Sequence, residues 1–156
     1  MVNLRKITSD NFNECIKLET NEDQKGFVAS NLSSLAESYI ALTNNECIPI
    51  PYAIYNNDIM VGFILLSYNQ ANENNTENTY WICRLMIDKL YQRKGYSKEA
   101  ILKALDIIRA STYGKASVVS LSYELENVIA KKLYASFGFV ETGEVDDGEL
   151  VAKLIL

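Results

Sequence analysis

The chain has 156 residues, 48% of them hydrophobic and 22% charged, the composition of an ordinary folded globular protein. Acidic residues outnumber basic ones by 20 to 15, for a formal net charge of -5, which argues against nucleic acid or an anionic membrane surface as a partner. Histidine is absent, so the Ser-His-Asp triad, the Cys-His pair, HExxH zinc hydrolysis and imidazole base catalysis are all excluded.

The length suits one domain over residues 1–156 built around one sizeable core. The amino terminus, MVNLRKITSDNF, lacks the apolar core of a secretory signal. The longest apolar run, Ile59 to Leu66, falls far short of the roughly 20 residues that a membrane-spanning helix needs. A cytoplasmic location with no membrane partner is therefore expected. Cys15, Cys47 and Cys83 are odd in number and widely spaced, which fits reduced structural thiols and no metal site. Neither GxGxxG nor GxxxxGK[ST] occurs among the seven glycines, so dinucleotide and Walker-type sites are not expected.

In chain order, Val2, Leu4 and Ile7 predict a strand, and Ser9 or Asp10 is placed to cap a helix carrying Phe12, Cys15, Ile16 and Leu18. Leu32, Leu35, Ala36, Tyr39 and Ile40 recur at helical spacing and predict a second helix from Asn31 to about Leu42, with that stripe packed in the core. The segment PYAIYNNDIMVGFILLSY predicts two strands joined by Asn57 and Asp58, and the asparagine-rich stretch 69–79 a solvated loop. YWICRLMI predicts a central strand. A helix from Ser97 buries Ala100, Ile101, Ala104, Leu105 and Ile108, with Gly114 placed to end it. SVVSLSY forms the next strand, a helix from Asn127 to Phe137 follows and stops at Gly138, and FVETGEV and ELVAKLIL close the chain as strands. The order predicts an α/β fold with a mixed sheet, in which two crossover helices impose some parallel pairing near the centre.

Chemistry concentrates first in DKLYQRKGYSKEA, which joins a buried strand to a helix. Free amides at a helix start, with the positive end of the helix dipole behind them, form a site for phosphate oxygens. Gly95 allows an anion to approach the backbone and tolerates positive φ, while Arg93 and Lys94 add mobile positive charge. An ordinary capped helix with solvated basic residues fits that spacing as well.

The run Gln92-Arg93-Lys94-Gly95-Tyr96-Ser97 resembles the QxxGxG/A signature of the GNAT acetyltransferases. In NVIAKKLYASFGF, Asn127, Ala130, Leu133, Tyr134, Gly138 and Phe139 fall where that family carries its N, A, LY and GF pattern. Within the family the chain is most similar to the bacterial spermine/spermidine acetyltransferases, through FVASNLSSLAESY, PYAIYNNDIMVGF and WICRLMIDKLYQRKGYSKEA. The resemblance implies a mixed, mostly antiparallel sheet of about six or seven strands flanked by about four helices. It implies acetyl-CoA as co-substrate, a small-molecule amine as partner, and an N-acetyltransferase activity on a polyamine such as spermidine or spermine; a homodimer is compatible with it.

Carried over by position, Leu85, Met86 and Ile87 would offer backbone groups to the acetyl carbonyl and pantetheine arm. Gln92, Arg93, Lys94, Gly95, Tyr96 and Ser97 would form the pyrophosphate turn, Asn127 would contact the cofactor arm, and Tyr134 would point its hydroxyl at the sulfur. A phenol with a pKa of about 10 keeps its proton at neutral pH and can deliver it to a departing thiolate. Glu19, Glu22 and Asp23, near the first helix, are candidate amine-binding carboxylates, against the reading of a solvated charge run. The same fold allows a protein amino terminus, a lysine, or an amine drug or metabolite as acceptor. It also allows a CoA-binding module without catalysis.

Overall fold

The computed structural model describes residues Met1 to Leu156. β1 (Val2–Lys6) leads through the single-turn α1 (Phe12–Cys15) and a 3-10 turn (Glu22–Gln24) to α2 (Asn31–Thr43). β2 (Ile48–Asn56), β3 (Ile59–Asn69) and β4 (Thr79–Ile87) come next, then α3 (Tyr96–Arg109), β5 (Val118–Glu124), α4 (Val128–Ala135), β6 (Val140–Asp146) and β7 (Glu149–Ile155). The strands form a seven-stranded sheet in the order β1-β2-β3-β4-β5-β7-β6. Every neighbouring pair is antiparallel except β4 and β5, which α3 joins as a crossover. The second crossover, α4, adds no parallel ladder, because β7 lies between β5 and β6 and runs against both.

Strand alternation divides the core between the two faces of the sheet. On one face Tyr80 and Ile82 of β4 and Val119, Leu121 and Tyr123 of β5 pack with Ile101, Leu105 and Ile108 of α3 and with Tyr134 of α4. On the other, Ala53, Phe63, Leu65 and Met86 pack with Cys15 and Leu35. Ala100, Ile101, Ala104, Leu105 and Ile108 of α3 are all buried, as their spacing predicts. Asn57, at φ 54°, turns the β2–β3 hairpin.

Three elements depart from the sequence expectation. α1 is a single turn, with Asn11 and not Ser9 or Asp10 in the N-cap position. Beyond it the backbone of Glu19 is held by the residues that follow β4: Glu19 N donates to Asp88 Oδ2 (2.9 Å) and Lys89 N donates to Glu19 O (2.8 Å). α2 has the expected span but the opposite orientation. Its buried residues are Asn31, Ser34 and Ser38, while Leu32, Tyr39 and Ile40 are more than half exposed. Two members of this polar face find partners, Asn31 Nδ2 donating to Cys15 O (2.9 Å) and Ser38 Oγ to Ser34 O (2.8 Å), while the buried Ser34 hydroxyl has none. α3 stops at Arg109, well before Gly114.

The ladder between β3 and β4 shifts register: Leu66 lies opposite Ile82 and Leu65 opposite Arg84, so Cys83 is an extra residue on β4. Such a bulge bends its strand and sharpens the local twist. The parallel pairing of β4 with β5 stops at the same place, at Ile82 opposite Leu121, although both strands continue. β3 stays paired with β4 as far as Gly62 opposite Ile87. At Gly62 an added Cβ would press on the Met86 carbonyl oxygen and lie 2.9 Å from Ile87 Cδ1. Gly62→Ala is expected to destabilise by about 1–3 kcal/mol, lowering Tm by roughly 3–10 °C in thermal unfolding. An unchanged Tm would show that β4 has room to move off β3.

Candidate functional site

α3 begins at Tyr96 behind Gly95, whose φ of 84° places it in the left-handed region. Gly95 adopts this conformation freely, whereas Arg93, at φ 63°, is strained by it, so the turn is bent by two left-handed residues close together. The first backbone bond into the helix is Glu99 N to Gly95 O (3.2 Å), and helix geometry leaves the amides of Tyr96, Ser97 and Lys98 without an intrahelical acceptor. These amides, the positive end of the helix dipole and exposed Arg93 form an anion seat. The seat opens on a cavity of about 400 Å³ bounded by Leu85 to Ile87 of β4, the turn, and the α4 residues Ile129 and Leu133.

A second cavity, about 370 Å³, lies where β4 and β5 part. Phe27, Val28, Leu85, Asn127, Ala130 and Tyr134 line both cavities and form the wall between them. The second cavity carries Glu124, Asp147 and Glu149, none of which has a salt-bridge partner. Its two cations are already engaged: Lys25 Nζ with Glu22 at 2.7 Å and Arg84 with Glu37 at 3.3 Å. Glu124 and Glu149 lie opposite each other in the β5–β7 ladder, where like charges destabilise the pairing. Ser122 Oγ donates to Glu149 Oε2 (3.1 Å) and orients it.

Tyr134 stands in the shared wall. Its ring stacks on Tyr123 at 6.2 Å and meets Phe139 edge-on at 5.9 Å, which fixes its orientation from two sides. Burial raises its phenol well above the ordinary tyrosine range, with no hydrogen bond contributing, so the hydroxyl stays protonated and its donor is free. Tyr123 is itself held by a hydrogen bond from its hydroxyl to Glu141 Oε1 (2.8 Å); burial first and then Glu141 push its phenol up to about 12.

An anion seat, a carboxylate-lined cavity and a protonated phenol on their common wall suit transfer between an anionic carrier and a cationic acceptor. Residues 6–139 match the Acetyltransferase (GNAT) family. The chain belongs to the GNAT acetyltransferases. It is 31% identical over 153 residues to the spermine/spermidine N(1)-acetyltransferase of Bacillus subtilis, covering 96% of this chain and 95% of that protein. Among solved structures it resembles the PaiA N-acetyltransferase of Thermoplasma acidophilum in complex with coenzyme A, with a TM-score of 0.71 at 16% identity over 100% of this chain and 99% of that one. It also resembles the spermidine N-acetyltransferase of Vibrio cholerae in complex with CoA and spermine, with a TM-score of 0.68 at 18% identity over 99% of this chain and 95% of that one. The protein is thus an acetyl-CoA-dependent N-acetyltransferase of GNAT fold. No helix is long and apolar enough to cross a membrane.

Within this GNAT site the residues singled out from sequence fall into three groups. Leu85, Met86, Ile87, Arg93, Gly95, Tyr96 and Ser97 all border the larger cavity, and Lys94 is exposed on the turn with Nζ 5.6 Å from the Tyr91 ring centroid. Gln92 and Asn127 border it too but have structural partners. Asn127 Oδ1 accepts from Ala130 N (3.2 Å) and caps α4, and Gln92 bonds Asn21, Gln24 and Ile87.

The three expected amine-binding carboxylates are not brought together. Glu19 pairs with Lys89 at 3.0 Å, a hydrogen bond that holds its carboxyl below the usual range; Glu22 pairs with Lys25; Asp23 borders the first cavity. The carboxylates that do line one cavity are Glu124, Asp147 and Glu149, which the sequence offers only as charges at strand ends and in the DDGE hairpin turn. Only the pairing of β5 with β7 brings them to one place.

Gly95 has nothing within 4 Å of an added Cβ, so its replacement is resisted by backbone conformation alone. Gly95→Ala is expected to distort the turn and raise the Kd for CoA about five- to tenfold in calorimetry, at roughly 1 kcal/mol of strain. An unchanged Kd would place the phosphates elsewhere.

Proposed function

We propose that the protein acetylates a primary amine of a polyamine such as spermidine or spermine, by direct attack of the neutral amine in a ternary complex with acetyl-CoA. The observation that carries this reading is the second cavity, whose three carboxylates lack any cation of the chain and two of which oppose each other across a strand pair. An ammonium between Glu124 and Glu149 relieves their repulsion, which gives the pair a purpose that folding alone does not. The names of the Bacillus subtilis relative and the spermine-bound Vibrio cholerae structure support the same acceptor class.

Acetyl-CoA supplies an activated acetyl thioester. On this reading the amides from Arg93 to Ser97 hold its pyrophosphate, and the β4 backbone at Leu85 to Ile87, unpaired on the β5 side, receives its pantetheine arm. Tyr134 holds a proton at its hydroxyl for the departing thiolate, and burial keeps it there. The carboxylates suit a distal ammonium of the acceptor. At the reacting nitrogen they would favour the charged form, which cannot attack.

Two experiments test the reading. Tyr134→Phe is expected to lower kcat by about 100-fold while leaving CoA affinity intact; an unchanged kcat removes Tyr134 from the chemistry. Because a free amine has a pKa near 10.4, wild-type kcat/KM should climb from pH 7 towards pH 10 with no alkaline fall from Tyr134, whose raised pKa lies above that window. In the second, Glu124→Gln with Glu149→Gln should raise the KM for spermidine about tenfold or more and leave that for a monoamine within about twofold. Equal effects on both amines would sink the distal-ammonium assignment, and acetylation of peptide amino termini, lysines or aminoglycosides in preference to any polyamine would sink the acceptor class.

A further inference from the structure

Gln92 heads the cofactor turn, yet its side chain is fully committed within the protein. Nε2 donates to Gln24 Oε1 (2.7 Å) and to the Ile87 carbonyl (3.0 Å), and Oε1 accepts from Asn21 Nδ2 (2.8 Å). Both amide protons are used, so no donor remains for a phosphate oxygen. The Ile87 carbonyl, which can only accept, fixes the orientation: the flipped amide would set two oxygens against each other.

The partners Asn21 and Gln24 belong to the segment from Thr20 to Ala29 that joins α1 to α2 and borders both cavities. Its start is anchored at Glu19 by the buried carboxylate of Asp88 and by Lys89 N. From Asn21 onward the other hydrogen bonds stay inside the segment: Gln24 N to Asn21 O, Lys25 N to Glu22 O, Phe27 N to Gln24 O, and Lys25 Nζ to Glu22 Oε1. Between Asn21 and Ala29, Gln92 therefore makes the only hydrogen bonds that tie this wall to the sheet.

We infer that Gln92 is a positioning residue that couples the cofactor turn to the wall of the acceptor cavity. This rests on the assignment of the two cavities to CoA and amine made above. Gln92 adjoins Arg93, the first residue of the anion seat, so a pyrophosphate that immobilises Arg93 to Ser97 also immobilises the amide holding Asn21 and Gln24. The acceptor then meets a wall already ordered, and its binding is tighter in the CoA complex than in the free protein. Linkage requires the amine to favour CoA binding by the same factor.

The test uses the full chain with Gln92→Met, which keeps side-chain length and removes all three bonds, and Gln24→Met, which removes one of the two loop ties without touching the turn. Hydrogen exchange over residues 20–29 is measured with and without CoA, alongside CoA Kd, and spermidine KM and kcat. In the wild type, CoA should slow exchange over residues 20–29. That protection should be lost in Gln92→Met, with the spermidine KM raised about tenfold, and reduced in Gln24→Met, with a smaller rise in KM; kcat and the Kd of CoA alone should stay within about threefold in both. Gln24→Glu, which keeps an acceptor for Gln92 Nε2, should restore most of the protection. A tenfold loss of CoA affinity in Gln92→Met with unaltered exchange would make Gln92 a phosphate ligand and overturn the inference. Exchange and KM unaltered in both variants would overturn it also. If the protection changes as expected while no polyamine is acetylated, the clamp stands and the polyamine reading falls.

Discussion

The site depends on the separation of β4 from β5. Parallel pairing holds Thr79 to Ile82 against Val118 to Leu121 and then stops, and the next residue of β4 is the bulged Cys83. β3 continues to hold β4 beyond this point, so β4 is anchored from one side while its other edge opens. Were the ladder to continue, Leu85 would be enclosed between strands and the wall shared by the two cavities would have no gap to occupy. The extra residue thus falls at the point where the sheet opens, and a bulge there bends β4.

Opening a sheet exposes backbone and apolar side chains, so what fills the gap must be held in place from outside it. α4 does this with eight residues, too few for helix propensity alone to stabilise. Asn127 caps its start, and Tyr134, near its end, is fixed between Tyr123 and Phe139. Tyr123 is bonded to Glu141, and Glu141 to Lys131 of α4 at 3.3 Å, so the ring stack is closed by an exposed ion pair that returns to the same helix. The hydroxyl at the centre of this arrangement has no partner of its own, and the same burial that orients it keeps it protonated.

Local patterns were legible where local physics decides the outcome. The α3 stripe, the Asn57-Asp58 hairpin and the turn before α3 all follow from residues close in sequence. The Tyr134 position was legible only through the family pattern, since spacing alone describes a core tyrosine. Features set by long-range pairing were not legible. The α2 stripe has helical periodicity, but the sheet accepts its Asn31-Ser34-Ser38 face because Cys15 O satisfies Asn31 across the chain. Glu19, Glu22 and Asp23 follow α1 in the chain, yet Lys89 and Lys25 neutralise two of them locally. Glu124 and Glu149 become neighbours only when β7 inserts between β5 and β6.

The division of charge across the shared wall follows from what the two ligands demand. A pyrophosphate needs donors and positive potential, which the α3 terminus supplies mainly from backbone, with Arg93 beside it. A polyamine needs acceptors at its distal ammonium and a neutral nitrogen at the point of attack, and no single cluster of carboxylates serves both, because carboxylates hold a nearby amine in its charged form. With no histidine to take that proton and Tyr134 held protonated by burial, the site separates these tasks in space. On the proposed reading the carboxylates hold the far end of the acceptor and the reacting end lies against the aromatic and aliphatic residues of the wall, where lower polarity favours the neutral amine.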